Sequence, residues 1–221
     1  MRVVIVKHEW VVGSNPTGAT VLERAEANGL SFGLISPVRV PCLLLLFSRA
    51  RMLRHTPHDA HDPVVCVSPR SDRRYVIRAA VLEDRDTLAD VYLTCRRRTF
   101  TWVDPSQYQR ADFLEDTDGE RVLVCEWAGQ IVGFSGVWVP GSFLHHLFVL
   151  EAHHGHGAGL GLLRAAMRDV PGSLRLKCVA QNARAVRFYT KLGGVIEATH
   201  PDGPEGPYHA MRLPNPLHTG G

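Results

Sequence analysis

Phe143 to Arg168 reads FLHHLFVLEAHHGHGAGLGLLRAAMR, and the fold turns on how this stretch is read. Phe143 to Leu150 is an apolar run of strand length. A turn of histidines and glycines follows, and then a segment with Leu160, Leu163 and Met167 on one helical face. A strand that enters a helix through glycines aims several backbone N–H groups at one point, and the helix N-terminus adds partial positive charge there. The turn is therefore expected to hold an anion such as a phosphate, and we read it as a pyrophosphate cradle.

Upstream of it, Tyr75 to Arg78 is β-rich and suits a first strand, and Asp84 precedes a helical pattern carrying Leu88, Val91, Tyr92 and Cys95. Arg96, Arg97 and Arg98 form a cationic helix end that favours the dipole, with an acidic-substrate patch as the lesser reading. Asp104-Pro105 is a cap followed by a first-turn proline, which predicts a second helix running to about Glu115. Arg121 to Glu126 and Gln130 to Val139 flank Trp127-Ala128-Gly129 as a hairpin. Downstream, Leu174 to Val179 is strand-like and Asn182 caps a helix through Lys191 that Gly193-Gly194 closes. Two last strands, Val195 to Thr199 and Tyr208 to Leu213, flank the turn at Asp202-Gly203-Pro204. The order β-α-α-β-β-β-α-β-α-β-β predicts a mixed α/β (α+β) domain, its central sheet mostly antiparallel, flanked by helices and holding at least one parallel pair.

The domain is expected over 73–215, with 216–221 a flexible tail. Residues 1–72 lack sustained periodicity and carry Pro16, Pro37, Pro41, Pro57, Pro63 and Pro69, which break helices and central strands. They read as a poorly ordered extension, or as the product of an over-called start codon, since Gly13-Ser14-Asn15-Pro16 is encodable by sequence typical of the T-arm of transfer RNA genes. The apolar run Cys42 to Phe47 is too short to span a bilayer and sits too far along the chain for a signal peptide. With 45% hydrophobic and 21% charged residues, the chain has the composition of a globular protein. The net charge of +3 is small and the basic residues are scattered, so neither nucleic acid nor membrane is an expected partner. Five cysteines with no metal-like spacing (Cys42, Cys66, Cys95, Cys125, Cys178) read as reduced, consistent with a cytoplasmic location.

Other glycine-rich loops fail at this turn. A Walker loop needs Lys-Ser/Thr after its last glycine, and Gly159-Leu160-Gly161 provides neither. GxGxxG fails because Gly155-His156-Gly157 is followed by Ala158-Gly159-Leu160, and no acid ends the next strand near Val179. The pattern Gln/Arg-x-x-Gly-x-Gly/Ala is met by His154-Gly155-His156-Gly157-Ala158-Gly159, with His154 at the Gln/Arg position. Downstream, Asn182-Ala183-Arg184-Ala185-Val186-Arg187-Phe188-Tyr189-Thr190-Lys191-Leu192-Gly193 matches Asn-x-x-Ala-x-x-Phe-Tyr-x-x-x-Gly. Over residues 75 to 214 the chain resembles the GNAT superfamily of acyl-CoA-dependent N-acetyltransferases in both motifs, in their spacing and in strand order. Plainer readings stand beside each motif: a tight turn for the glycines, and core aromatics for Phe188 and Tyr189.

The resemblance implies an acyl-CoA N-acyltransferase-like fold. It also implies transfer of an acetyl group from acetyl-CoA, as co-substrate, to a primary amine of a small molecule or peptide by direct attack in a ternary complex. Backbone N–H groups from His154 through Gly155, His156, Gly157, Ala158 and Gly159 to Leu160 would hold the pyrophosphate. Leu147, Phe148 and Val149 would line the pantetheine arm, with the N–H of Val149 or Leu150 polarising the thioester carbonyl. Asn182 would hold either CoA or the strand-to-helix turn. Tyr189, also at the cofactor, would protonate the departing thiolate.

Counting back from the glycines, His145 matches a His that acts as base in arylalkylamine acetyltransferases. On a regular strand it shares a face with Leu147 and Val149, while His146 points the other way. Glu126 is the reserve base. A metal site built from His145, His146, His153, His154 and His156 finds no completing ligand beyond Glu151, so no metal is expected. The alternatives in function are a non-catalytic CoA-binding regulatory domain and a metal-binding α/β domain, and a homodimer is left open.

Overall fold

A computed structural model describes residues 63–67, 73–168 and 170–216. The elements are β1 (Val64–Val67), β2 (Arg74–Ala79), α1 (Arg85–Thr99), α2 (Asp112–Asp116), β3 (Arg121–Trp127), β4 (Gln130–Trp138), β5 (Phe143–Val149), α3 (Ala158–Met167), β6 (Leu174–Val179), α4 (Ala183–Lys191), β7 (Val195–His200) and β8 (Tyr208–Leu213). The strands form one eight-stranded sheet in the order β1-β2-β3-β4-β5-β6-β8-β7. Every pairing is antiparallel except β5 with β6. The expected mixed, mostly antiparallel sheet flanked by helices is the observed one, and α3 is the crossover that makes its parallel pair.

The sheet begins earlier than the sequence reading starts it: Val64–Val67 pairs antiparallel with β2, Cys66 opposite Tyr75. The readings for residues 1–62 and 217–221 lie outside the described residues, as does Cys42. Among the described residues no helix is long and apolar enough to cross a membrane. Cys66, Cys95, Cys125 and Cys178 are free thiols, and burial pushes Cys95 and Cys125 up to about 12 and Cys178 up to about 11.

Two cores sandwich the sheet. On one face α3 lays Leu162, Leu163, Ala166 and Met167 against Ile77, Leu123, Leu144, Leu174 and Leu176. Each large side chain buried this way contributes about 1.5–3 kcal/mol. Gly161 brings the helix close, since a Cβ there would lie 2.7 Å from Ile77 Cδ1 and 2.8 Å from Cys66 Sγ. On the other face α1 and α2 bury Leu88, Val91, Tyr92, Cys95 and Phe113 against Val124 and Phe134.

The predicted second helix is broken. Asp104 does cap a turn at Pro105–Gln107, its carboxylate accepting from Ser106 N–H at 2.9 Å, but the α-helix resumes only at Asp112. Arg97 explains the interruption by donating to the carbonyls of Pro105 (3.2 Å) and Tyr108 (3.0 Å). The N–H of Gln109 turns to the Asp112 carboxylate instead, at 2.8 Å. Side chains thus take the backbone groups that a continuous helix would have paired.

Candidate active site

β5 and β6 pair only at Phe143 with Arg175 and Leu144 with Leu176. Beyond that point β5 runs on to Val149 and β6 to Val179 without a ladder pair between them, so the sheet forks. Leu150 donates its N–H to Val132 on β4 at 2.8 Å, which commits it to the antiparallel side. By alternation the Val149 N–H faces the fork. Of the two donors considered for the carbonyl, Leu150 is spent on β4 and Val149 is the one directed to the fork. Leu147 and Val149 pack on the α3 side of the sheet, while Phe148 packs on the α1 side.

At the head of the fork lies the glycine turn. Gly155 and Gly157 have φ of 77° and 92°, the left-handed region that favours glycine, and Gly157 is the N-cap of α3 without a side-chain cap. Among the described residues the N–H groups of Gly155, Gly157, Ala158, Gly159 and Leu160 meet no backbone carbonyl; the ladder starts with Gly161 N–H to Gly157 at 2.9 Å. These orphan donors, gathered at a ten-residue helix, fit a diphosphate. His154 faces back toward the strand, its Nε2–H donating to the Val149 carbonyl at 2.6 Å. Burial holds this imidazole below its ordinary range despite that bond. His153 is a core residue beside Tyr75 and Trp127, and His156 is half-buried in the turn.

α4 borders the fork from the β6 side. Asn182 serves the turn, its Oδ1 accepting from Ala185 N–H at 3.1 Å. Phe188 lies 4.0 Å from where a Cβ on Gly159 would stand. Tyr189 is buried, and burial, reinforced by Cys178, pushes its hydroxyl well above the ordinary value, so it keeps its proton. Gly193, at φ 86°, and Gly194 end the helix, with Gly194 N–H donating to Tyr189 O at 2.9 Å.

The two histidines do not diverge as a regular strand requires. Gly136 pairs with His146 but Val137 pairs with Leu144, so His145 is an extra residue in a β-bulge. The bulge overturns the expected parity. His145 and His146 both approach one carboxylate, Glu120, through His145 Nδ1 and, at 3.7 Å, through His146 Nε2. His146 is buried against Tyr92, Phe134 and Phe148 and donates Nε2–H to Asp116 O at 3.3 Å; burial holds it below its ordinary value. His145 is exposed. Sequence reasoning missed Glu120, and its one sequence-level trace is Gly136, where a Cβ would collide with the Glu120 carboxylate.

Glu126 is engaged elsewhere. It accepts from Arg78 Nε at 3.0 Å, and Arg78 also binds Asp84. The arginines ending α1 are likewise committed: Arg96 to Asp116 and Glu205, Arg98 to Glu151. Phe100, Trp102 and Tyr108 form an aromatic group beside Arg96. Among the described residues no group of three or more His, Cys, Asp or Glu side chains is placed to hold a metal ion.

A forked sheet with an uncapped glycine turn at its head defines an acyl-CoA N-acyltransferase-like fold. A model described as the acetyltransferase (GNAT) family matches residues 86–194, and that segment of the chain is a GNAT-family acetyltransferase domain. Similar solved structures include YncA, a putative acetyltransferase from Salmonella typhimurium with its cofactor acetyl-CoA. It is 22% identical, has a TM-score of 0.51, and the match covers 66% of this chain and 97% of that one. The apo form of YjaB from Escherichia coli is 24% identical at a TM-score of 0.51, covering 64% and 97%. The PaiA N-acetyltransferase from Thermoplasma acidophilum in complex with coenzyme A is 17% identical at 0.52, covering 63% and 98%. These likenesses concern the fold. No curated protein sequence matches the chain.

Proposed function

We propose that this chain transfers an acetyl group from acetyl-CoA to a primary amine by direct attack in a ternary complex. The observation that carries the reading is the opening of β5 from β6 after Leu144 and Leu176, below the N–H groups of Gly155, Gly157, Ala158, Gly159 and Leu160, which meet no backbone carbonyl among the described residues. Two of the similar structures support it: YncA's is described with acetyl-CoA and PaiA's with coenzyme A. In this reading the turn holds the pyrophosphate through its backbone, and His154 keeps the end of β5 in place. The substrate supplies a thioester carbonyl, for which the Val149 N–H is the available donor.

His145 accepts a proton at Nε2 from the substrate ammonium, freeing the amine lone pair that attacks, because its Nδ1 is occupied by Glu120. Tyr189 gives its proton to the departing thiolate; a hydroxyl kept protonated by burial suits that role. Purified full-length chain is mixed with acetyl-CoA and a panel of small-molecule and peptide amines, and free thiol is followed. Amine-dependent thiol release is the expected result. Binding of acetyl-CoA without acetylation would overturn the catalytic reading in favour of a CoA-binding regulatory domain, and an unchanged melting temperature with acetyl-CoA would overturn both.

A further inference from the structure

Glu120 arrives at β5 from the turn that leads out of α2, held by its own N–H to Thr117 O at 3.1 Å. Its side chain is only 3% exposed. Three features converge on it. The bulge rotates His145 toward it, Gly136 opposite leaves the room a Cβ would fill, and its Oε2 is buried without a hydrogen bond among the described residues. A buried carboxylate with one unpaired oxygen is costly, and the bulge, which takes one residue of the neighbouring strand out of the ladder, is a second cost. Both are borne at the one point where the fork begins.

We propose that Glu120 is the positioning residue for His145, fixing its Nδ1–H tautomer, turning its Nε2 lone pair outward and offsetting the charge that Nε2 gains. This rests on the reading of His145 as the base. A carboxylate can only accept here, so Nδ1 donates and Nε2 is left as the acceptor. In the proton transfer an ammonium N–H bond breaks and an Nε2–H bond forms, and the new imidazolium sits against the Glu120 carboxylate. His146 does not compete for the role: its Nε2–H is given to Asp116 O, and aromatic rings enclose it. Charged groups near this pair among the described residues include Asp116 from α2 and, behind it, Arg96 from α1, which also donates to the neutral Tyr92 hydroxyl.

The test has two readouts. In the full-length chain, ¹⁵N shifts of the His145 ring, assigned by their loss in His145→Ala, report the neutral tautomer without any need for activity. Protonated Nδ1 is expected in the wild type, with the preference eroded in Glu120→Gln. In the acetylation assay, Glu120→Gln is expected to lower kcat about tenfold or more with KM for acetyl-CoA little changed. Glu120→Asp should recover part of the loss. A wild-type ring protonated at Nε2 overturns the proposal even if no variant folds, as does a Glu120→Gln enzyme with the wild-type tautomer and kcat. Protonated Nδ1 in a chain that acetylates no amine would leave the Glu120 contact standing and remove the acetyltransferase reading instead.

Discussion

His154 Nε2 donates to the carbonyl of Val149, five residues back, at 2.6 Å, and so ties the head of the fork to the last residue of β5. Its Nδ1 is buried without a hydrogen bond among the described residues. The side chain therefore works through a single donor, which a glutamine amide can replace. His154→Ala should cost about 1–3 kcal/mol of stability by leaving a carbonyl unpaired, whereas His154→Gln should stay within about 0.5 kcal/mol of wild type. Urea denaturation of both variants checks this, and equal losses would mean that the donor is not what matters.

Three histidines set the pH dependence of stability. Burial holds His146, His153 and His154 below their ordinary value, with neighbouring cations adding to the effect at His153. The unfolded chain, with imidazoles near 6.5, binds more protons than the folded one in the window just below that value. Their contribution is then complete above about pH 6.5 and lost as pH falls through the lowered folded values. Asp84 adds a later stage. Its burial works against ionisation, but the Arg78 guanidinium and the Val81 N–H outweigh it, so its contribution is lost below about pH 4. Melting temperature should fall in two steps on acidification. His146→Phe, which suits the ring environment of Tyr92, Phe134 and Phe148, should shrink the first step. A wild-type melting temperature that is flat from pH 7 to 5 would contradict this account.

What was legible in the sequence is what local chemistry dictates. Gly155 and Gly157 are glycines because the turn needs positive φ, and Asn182 marks a helix start because its side chain accepts the N–H of Ala185. Neither requires knowledge of a distant neighbour. The bulge at His145 does, because it exists only in the register with β4, and two adjacent histidines look identical on a regular strand. Glu120 lies 25 positions away from His145, and nothing in its own neighbourhood marks it. The broken second helix has the same origin, since Arg97 reaches across to the Pro105 and Tyr108 carbonyls from another element. Strand β1 was missed because a four-residue edge strand sits in a proline-rich segment whose composition argues against order.

Tyr189 offers a clean probe of the proposed acid. Among the described residues its hydroxyl has no hydrogen-bond partner, and the ring packs beside Phe188 within the α3-side core. Tyr189→Phe keeps that packing and should change stability by less than about 0.5 kcal/mol. Turnover should fall about a hundredfold, within the usual range for a general acid, while acetyl-CoA affinity is retained. Steady-state kinetics together with direct binding measurements check both halves, and unchanged turnover would take Tyr189 out of the mechanism.

Arg96 joins α1 to both α2 and the loop between β7 and β8. Its side chain is 10% exposed, and it pairs with Asp116 of α2 at 3.0 Å and with Glu205 in the loop between β7 and β8. The guanidinium also lies over the Tyr92 and Tyr108 rings. Trp102 Nε1–H donates to Glu205 O at 2.8 Å, so the loop is gripped twice. Removing the cation alone strands two carboxylates in a largely dry site, and for buried pairs that costs about 3–5 kcal/mol. Arg96→Met should approach that loss and expose the 201–207 loop to limited proteolysis, whereas Glu205→Gln leaves Arg96 paired with Asp116 and should cost clearly less. Restoring neutrality in Arg96→Met with Asp116→Asn and Glu205→Gln should recover a substantial part of the stability, since the penalty lies in the unpaired charges. Equal melting temperatures for Arg96→Met and Glu205→Gln would show that the pair with Glu205, not the buried cation as a whole, carries the effect.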